Sequence, residues 1–170
     1  SSFLSLSEPE DKLLVINSSS KSFNMTGWRV GWITHPEYLG EHIAKLVQIS
    51  TTGVPEFIQK GFIEALKNHE FLVEDVMKNL HISRDFVYNK MKQWTKLKIN
   101  KPESAFYFFF KANDAKDSIS FCKNLIKKTQ VGLAPGVAFG KTGDNFLRLC
   151  FAADVKFLEN ILNRLEEEFN

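Results

Sequence analysis

Residues 18–32 read SSSKSFNMTGWRVGW, and the fold turns on what this stretch does between two apolar runs. KLLVIN (12–17) precedes it and RVGWIT (29–34) closes it. Both runs are short, apolar and bounded by turn residues, so each reads as a buried strand. Three serines lead from the first run into a single lysine, the second run opens on an arginine eight residues further on, and glycines stand at 27 and 31. Small hydroxyls, an amine and a guanidinium crowded at a strand end describe a binding edge rather than a packing face.

The chain has 170 residues, the size of one domain or two small ones. Hydrophobic residues make up 44% and charged ones 25%, ordinary for a globular protein, and sixteen Phe supply a sizeable core. A formal net charge of +2, with no basic stripe, argues against nucleic-acid and membrane-surface partners. Cys122 and Cys150 stand far apart without a C-x-x-C partner, so no metal site is expected and free thiols point to a cytoplasmic location. No apolar run approaches the ~18 residues of a membrane span.

Further along, 37–50 and 56–68 show helical spacing, broken by TTGVP (51–55). Spacings of three and four continue through Phe71, Val76, Leu80, Val87, Met91 and Trp94, predicting one long amphipathic helix over about 70–97. After it come an aromatic strand (104–112), a helix (114–129), two strands in VGLAPG and FLRLCFA (146–152), and a helix from Asp154 to Phe169. That order predicts a small α/β layer, with a domain boundary inside the long helix: 1–80 and 81–170.

The chemistry of the opening stretch follows from its residue types. Lysine forms Schiff bases, and partial burial or a nearby cation frees its amine to react. Neighbouring hydroxyls and an arginine suit a phosphate, and glycine lets backbone approach closely. An amine for an aldehyde beside a phosphate cradle describes pyridoxal 5'-phosphate.

Ser18 to Gly31 resembles the cofactor-lysine signature of the class I/II aminotransferases, S-x-S-K-x-F/Y-x-M-T-G-W-R-x-G, at nearly every fixed position. TTGVPEFIQKGFIEAL, RDFVYNKM, SAFYFF, VGLAPGVAFG and NFLRLCFA resemble later family segments, in family order, with Ser104 where glycine is usual. The resemblance implies an α/β architecture: the end of the large-domain sheet of a fold-type-I enzyme (1–80), a long connecting helix, and a small C-terminal α/β domain (81–170). It implies an aspartate-type transaminase that moves an amino group between an amino acid and a 2-oxo acid, as a homodimer.

Residue by residue, the resemblance makes Lys21 the lysine that bonds the cofactor and then acts as general base. Ser18 and Ser20 match the hydroxyl positions beside it, and Arg29 matches the phosphate-binding arginine. Arg148 matches the arginine that grips the substrate α-carboxylate, and Phe106 an aromatic of the substrate pocket. The family's upstream cofactor-binding segments, including an Asp-x-x-Tyr stretch, do not occur here. The chain therefore reads as a C-terminal portion, expected to bind cofactor weakly and not to transaminate by itself.

Rival readings remain open at this point: a lyase or decarboxylase on the same fold, or a non-catalytic fragment. GVAFGKT (136–142) is a decoy for a phosphate loop, G-x-x-x-x-G-K-S/T. It is one residue short, and a strand rather than a helix follows it. Trp28 and Trp32 read as core residues, and the four histidines show no ligand spacing.

Overall fold

The computed structural model describes residues 2–170 and divides the chain into two compact units, one running to Val76 and the other from Met77 to Asn170.

In the first unit, β1 (Val15–Ser18) pairs antiparallel with β2 (Gly31–Thr34), Ser18 opposite Gly31. The two strands form a two-stranded sheet of their own. Both runs were expected to be buried. Instead every β2 residue is exposed and β1 alternates between half-buried and exposed. Two paired strands cannot cover both faces of a sheet, so apolar runs suited to a sheet interior lie open. Helices α2 (Gly40–Thr51) and α3 (Glu56–Lys67) follow. A small core forms from Met25, Val30, Phe62 and Ala65, with Phe23 and Leu72 against it.

The long helix is α4 (His69–Met91), and the division between units falls inside it. It ends six residues short of the expected 97. The backbone N–H of Trp94 donates to Met91 O, turning the chain so that Trp94 stacks on Phe169 at 5.7 Å. Tertiary burial of this indole outweighs helical periodicity. A two-residue strand, β3 (Leu97–Lys98), takes the place of the last helical turn.

The second unit carries the larger core. Its sheet runs β3-β4-β6-β5 and is antiparallel throughout. Here β4 is Tyr107–Ala112, β5 is Ala134–Pro135 and β6 is Phe146–Cys150. The strand period of two sends Phe108, Phe110, Leu147 and Leu149 to one face, where all are buried. Against that face packs α6 (Val155–Phe169), presenting Leu158, Leu162, Leu165 and Phe169 at spacings of four, three and four. Cys122 and Leu125 of α5 (Ser118–Thr129) fill the same core, and each large side chain fully buried contributes about 1.5–3 kcal/mol. Asp117 caps α5 by accepting from the N–H groups of Ile119 and Ser120, and Asp154 caps α6 by accepting from Phe157 N–H at 2.9 Å.

Candidate functional site

One group of candidate residues stands where β1 ends. Ser18 closes the strand, and its hydroxyl accepts from Ser20 N–H at 3.1 Å, capping the single turn α1 (Ser19–Ser22). Lys21 sits on that turn with an exposed side chain. Ser19, between the two hydroxyl positions read from the sequence, is fully buried. Its hydroxyl donates to Val30 O at 2.8 Å and its backbone N–H to the same oxygen at 3.2 Å. The turn bearing Lys21 is thereby fastened to the segment that follows Arg29.

The eight residues from Lys21 to Arg29 are held just as firmly. Met25 and Val30 bury against Phe62 and Ala65 of α3. Residues Thr26–Trp28 make one 3₁₀ turn, with Trp28 N–H donating to Met25 O at 3.2 Å. The Trp28 ring lies over Gly61, where a Cβ would collide with it, while much of the indole stays exposed. Trp32 is likewise partly exposed, with its ring 5.4 Å from Phe62, so both tryptophans cover this small core rather than fill it. At Gly31 a Cβ would stand 2.6 Å from Asn17 O, so the hairpin closes here only with glycine.

Arg29 ends the 3₁₀ turn with φ 54° and ψ 43°, the left-handed region. Its Nη1 donates to Thr26 O at 3.0 Å, and among the described residues the guanidinium makes no ion pair. An exposed guanidinium with one neutral partner retains most of its donors for an anion. Ser18, Ser20, Lys21 and Arg29 thus belong to one folded strand end, joined through Ser19 and Val30.

A separate group of candidate residues lies in the other unit. Arg148 stands on β6 opposite Phe109, between the buried Leu147 and Leu149, and points to the sheet face away from the core. Its Cζ is 4.2 Å from the Tyr107 ring centroid and 4.3 Å from that of Phe139. Both rings therefore lie within cation–π reach of the one guanidinium. A guanidinium in an apolar strand is costly unless something satisfies its charge. Among the described residues it has no carboxylate; two aromatic faces satisfy the cation instead. Phe106 packs at the edge of the core, its ring 4.5 Å from that of Tyr107.

Phe139 comes from the loop that mimics a phosphate-binding motif. It closes a 3₁₀ turn, Gly136–Phe139, and a second turn, Lys141–Gly143, leads into β6. Gly136 and Gly143 cross so closely that a Cβ on either would meet the other's backbone. Val137 N–H donates to the buried Ser118 hydroxyl at 3.3 Å, and that hydroxyl donates to Asp144 at 3.1 Å. Ser19, Tyr107 and Phe139 are the site residues that sequence reading passed over. Tyr107 and Phe139 lie inside segments read only as family landmarks, and the alternation along β4 hinted that Tyr107 shares a face with Phe109.

Among the described residues no three His, Cys, Asp or Glu side chains gather to hold a metal ion, and no helix is long and apolar enough to cross a membrane.

The family model described as "Aminotransferase class I and II" matches residues 2–165. The chain is 33% identical over 165 residues to a "Probable aspartate aminotransferase" of Methanocaldococcus jannaschii, covering 94% of this chain and 43% of that protein. It is 34% identical over 170 residues to the aspartate aminotransferase of Thermotoga maritima, covering 99% and 43%. The crystal structure of the Thermotoga maritima aspartate aminotransferase superposes with a TM-score of 0.85 at 32% identity, over 99% of this chain and 43% of that one. The chain thus spans less than half the length of these relatives.

Proposed function

This chain belongs to the class I and II aminotransferase family, and on that premise we propose that it serves a pyridoxal-phosphate-dependent aminotransferase moving an amino group between an amino acid and a 2-oxo acid. The aspartate aminotransferases among its relatives support an aspartate-type amino donor. In this reading residues 1–80 are the end of the large cofactor-binding domain and 81–170 the small domain. The apolar side chains left exposed in the first unit, such as Ile49, Phe57 and Phe71, support burial against further protein, and a homodimer is the assembly we propose. The free thiols of Cys122 and Cys150 suit a cytoplasmic location.

The donor set fits the cofactor. An exposed guanidinium without a carboxylate and two serine hydroxyls on one strand end suit a phosphate dianion, and the Lys21 amine beside them suits an aldehyde. Arg29, Ser18 and Ser20 would hold the phosphate, and Lys21 would hold the carbonyl carbon covalently. When bound, pyridoxal phosphate supplies an electron sink for the substrate's α carbon.

The chain's own residues do the rest. The Lys21 amine takes the proton from the substrate's Cα, a general-base role commonly worth about 10²–10⁴-fold. Arg148 binds the α-carboxylate through its N–H edge and so orients the Cα–H bond. Phe106 lines the apolar side of the same pocket.

The observation that carries this reading is the double hydrogen bond from Ser19 to Val30 O, which holds the amine-bearing turn against the guanidinium-bearing loop. The test is borohydride reduction of the protein saturated with pyridoxal phosphate, followed by peptide mass spectrometry. Label at Lys21, weakened by Arg29→Ala, is expected. Label elsewhere, or none, overturns the assignment.

A further inference from the structure

We propose that the cleft between the end of α4 and the outer face of β3 and β4 binds a nucleoside diphosphate, its phosphates held by Lys92, Lys98 and Lys111 and its ring against Phe109 and Phe146. The cleft holds about 550 Å³, the size of a small-molecule site. Among the described residues none that lines it is acidic, so nothing in it neutralises the three ammonium groups. Lys98 and Lys111 stand directly opposite each other in the antiparallel ladder, and both are exposed. Opposed residues send their side chains to one face, and like charges placed so repel. Among the described residues neither lysine has a hydrogen bond or an ion pair. Lys92 Nζ donates to Asn89 Oδ1 at 2.9 Å and lies 5.7 Å from the Tyr88 ring centroid, two neutral partners that leave its charge and further donors available. The C-terminal end of α4 carries about half a negative charge, which Lys92 offsets, so the strand pair supplies most of the positive field.

A lysine on an edge strand can serve only to keep other strands away. That accounts for Lys98, because β3 is the edge of the sheet, but not for Lys111 on β4, which lies between β3 and β6. An anion between the two ammonium groups turns their repulsion into attraction. The apolar half of the cleft selects an organic anion over an inorganic one. Phe146 stands opposite Lys111, and Phe109 is its diagonal neighbour on the same face. Their rings stack, with 5.1 Å between centroids and 7° between planes. Phe109 nevertheless stays 46% exposed, so apolar surface remains for a ligand ring to cover. A nucleoside diphosphate brings about three negative charges and one planar ring, which matches both halves of the cleft.

The experiment titrates the full chain with ADP, adenosine and pyrophosphate in the absence of metal ions, following the backbone amides of Lys98 and Lys111 by NMR. ADP is expected to shift both, and to bind at least about tenfold tighter than adenosine and about threefold tighter than pyrophosphate. Lys111→Gln is expected to weaken ADP by at least about threefold, while the ligand-free variant melts no lower than wild type because the repulsion is relieved. Phe109→Leu is expected to weaken ADP and leave pyrophosphate unchanged. Arg29→Ala and Arg148→Gln, which remove the guanidinium groups of the other candidate residues, are expected to leave the ADP-induced shifts in place. An ADP affinity that Lys111→Gln does not change, a pyrophosphate affinity equal to that of ADP, or ADP-induced shifts that vanish in Arg29→Ala or Arg148→Gln would each overturn the assignment. A Lys111→Gln protein that melts well below wild type would refute the repelling pair, and the site with it.

Discussion

Ser19 gives both its hydroxyl and its backbone N–H to one acceptor, the carbonyl of Val30, at 2.8 and 3.2 Å. The side chain is fully buried, so water cannot replace the bond. This tie, rather than the strand pairing alone, sets where the amine-bearing turn stands relative to Arg29.

Replacing Ser19 with Ala deletes the shorter bond and leaves the longer one. Loss of about 1 kcal/mol is expected, because the carbonyl keeps one donor. Urea unfolding followed by tryptophan fluorescence would measure it. A change near zero would mean that the hydroxyl is not part of the tie.

The crossing of Gly136 and Gly143 leaves no space for a methyl group, because the obstacles are backbone atoms that cannot rotate away. Gly136→Ala and Gly143→Ala are each expected to destabilise the second unit by about 1–3 kcal/mol. Gly132, whose added Cβ would meet only the end of Ile126 at 4.0 Å, serves as the tolerant control. Thermal melts of the three variants should separate the first two from the third.

Asp85 receives Lys101 Nζ and Arg84 Nε, both at 2.8 Å. These two hydrogen bonds, Lys101 the stronger influence, hold its carboxyl below the ordinary 3.8. A carboxylate whose folded value is depressed adds stability above its unfolded value and loses it as pH falls through the folded one. The stability difference between wild type and Asp85→Asn is therefore expected to be constant at neutral pH and to shrink below pH 3.8. A difference that grew on acidification would contradict the pairing.

The two thiols should respond very differently to a thiol reagent. Cys150 is exposed at the end of β6, while Cys122 is buried and burial pushes its thiol up. One fast equivalent followed by a slow one, about 100-fold apart or more, is expected at pH 8. Cys150→Ser should remove the fast phase and leave the slow one. Because the folded Cys122 value is raised, its contribution to stability is complete below the unfolded thiol value and falls as pH rises past it.

What the sequence showed depended on whether a residue's role is local. Lys21, Ser18 and Arg29 belong to one short patterned stretch, so their grouping at one strand end could be read directly. The α6 face, from Leu158 to Phe169, obeys a period that packing left intact. Ser19 could not be found this way, because its importance lies in a carbonyl eleven residues off. Phe139 was hidden inside a false phosphate motif, since its place over Arg148 depends on the loop's return across the sheet. The last turn expected for α4 failed for the same reason: Trp94 satisfies helical spacing, yet Phe169 at the far end of the chain claims its ring.

Arg29 holds a backbone conformation, φ 54°, that an L residue adopts at a disadvantage. Glycine would adopt it freely, although it would enlarge the freedom of the unfolded chain. These two effects oppose each other, so Arg29→Gly should melt within a few degrees of wild type while losing its grip on the ligand. At this one position stability is nearly indifferent to whether a guanidinium is present, so a screen that reads melting temperature alone would not register its removal.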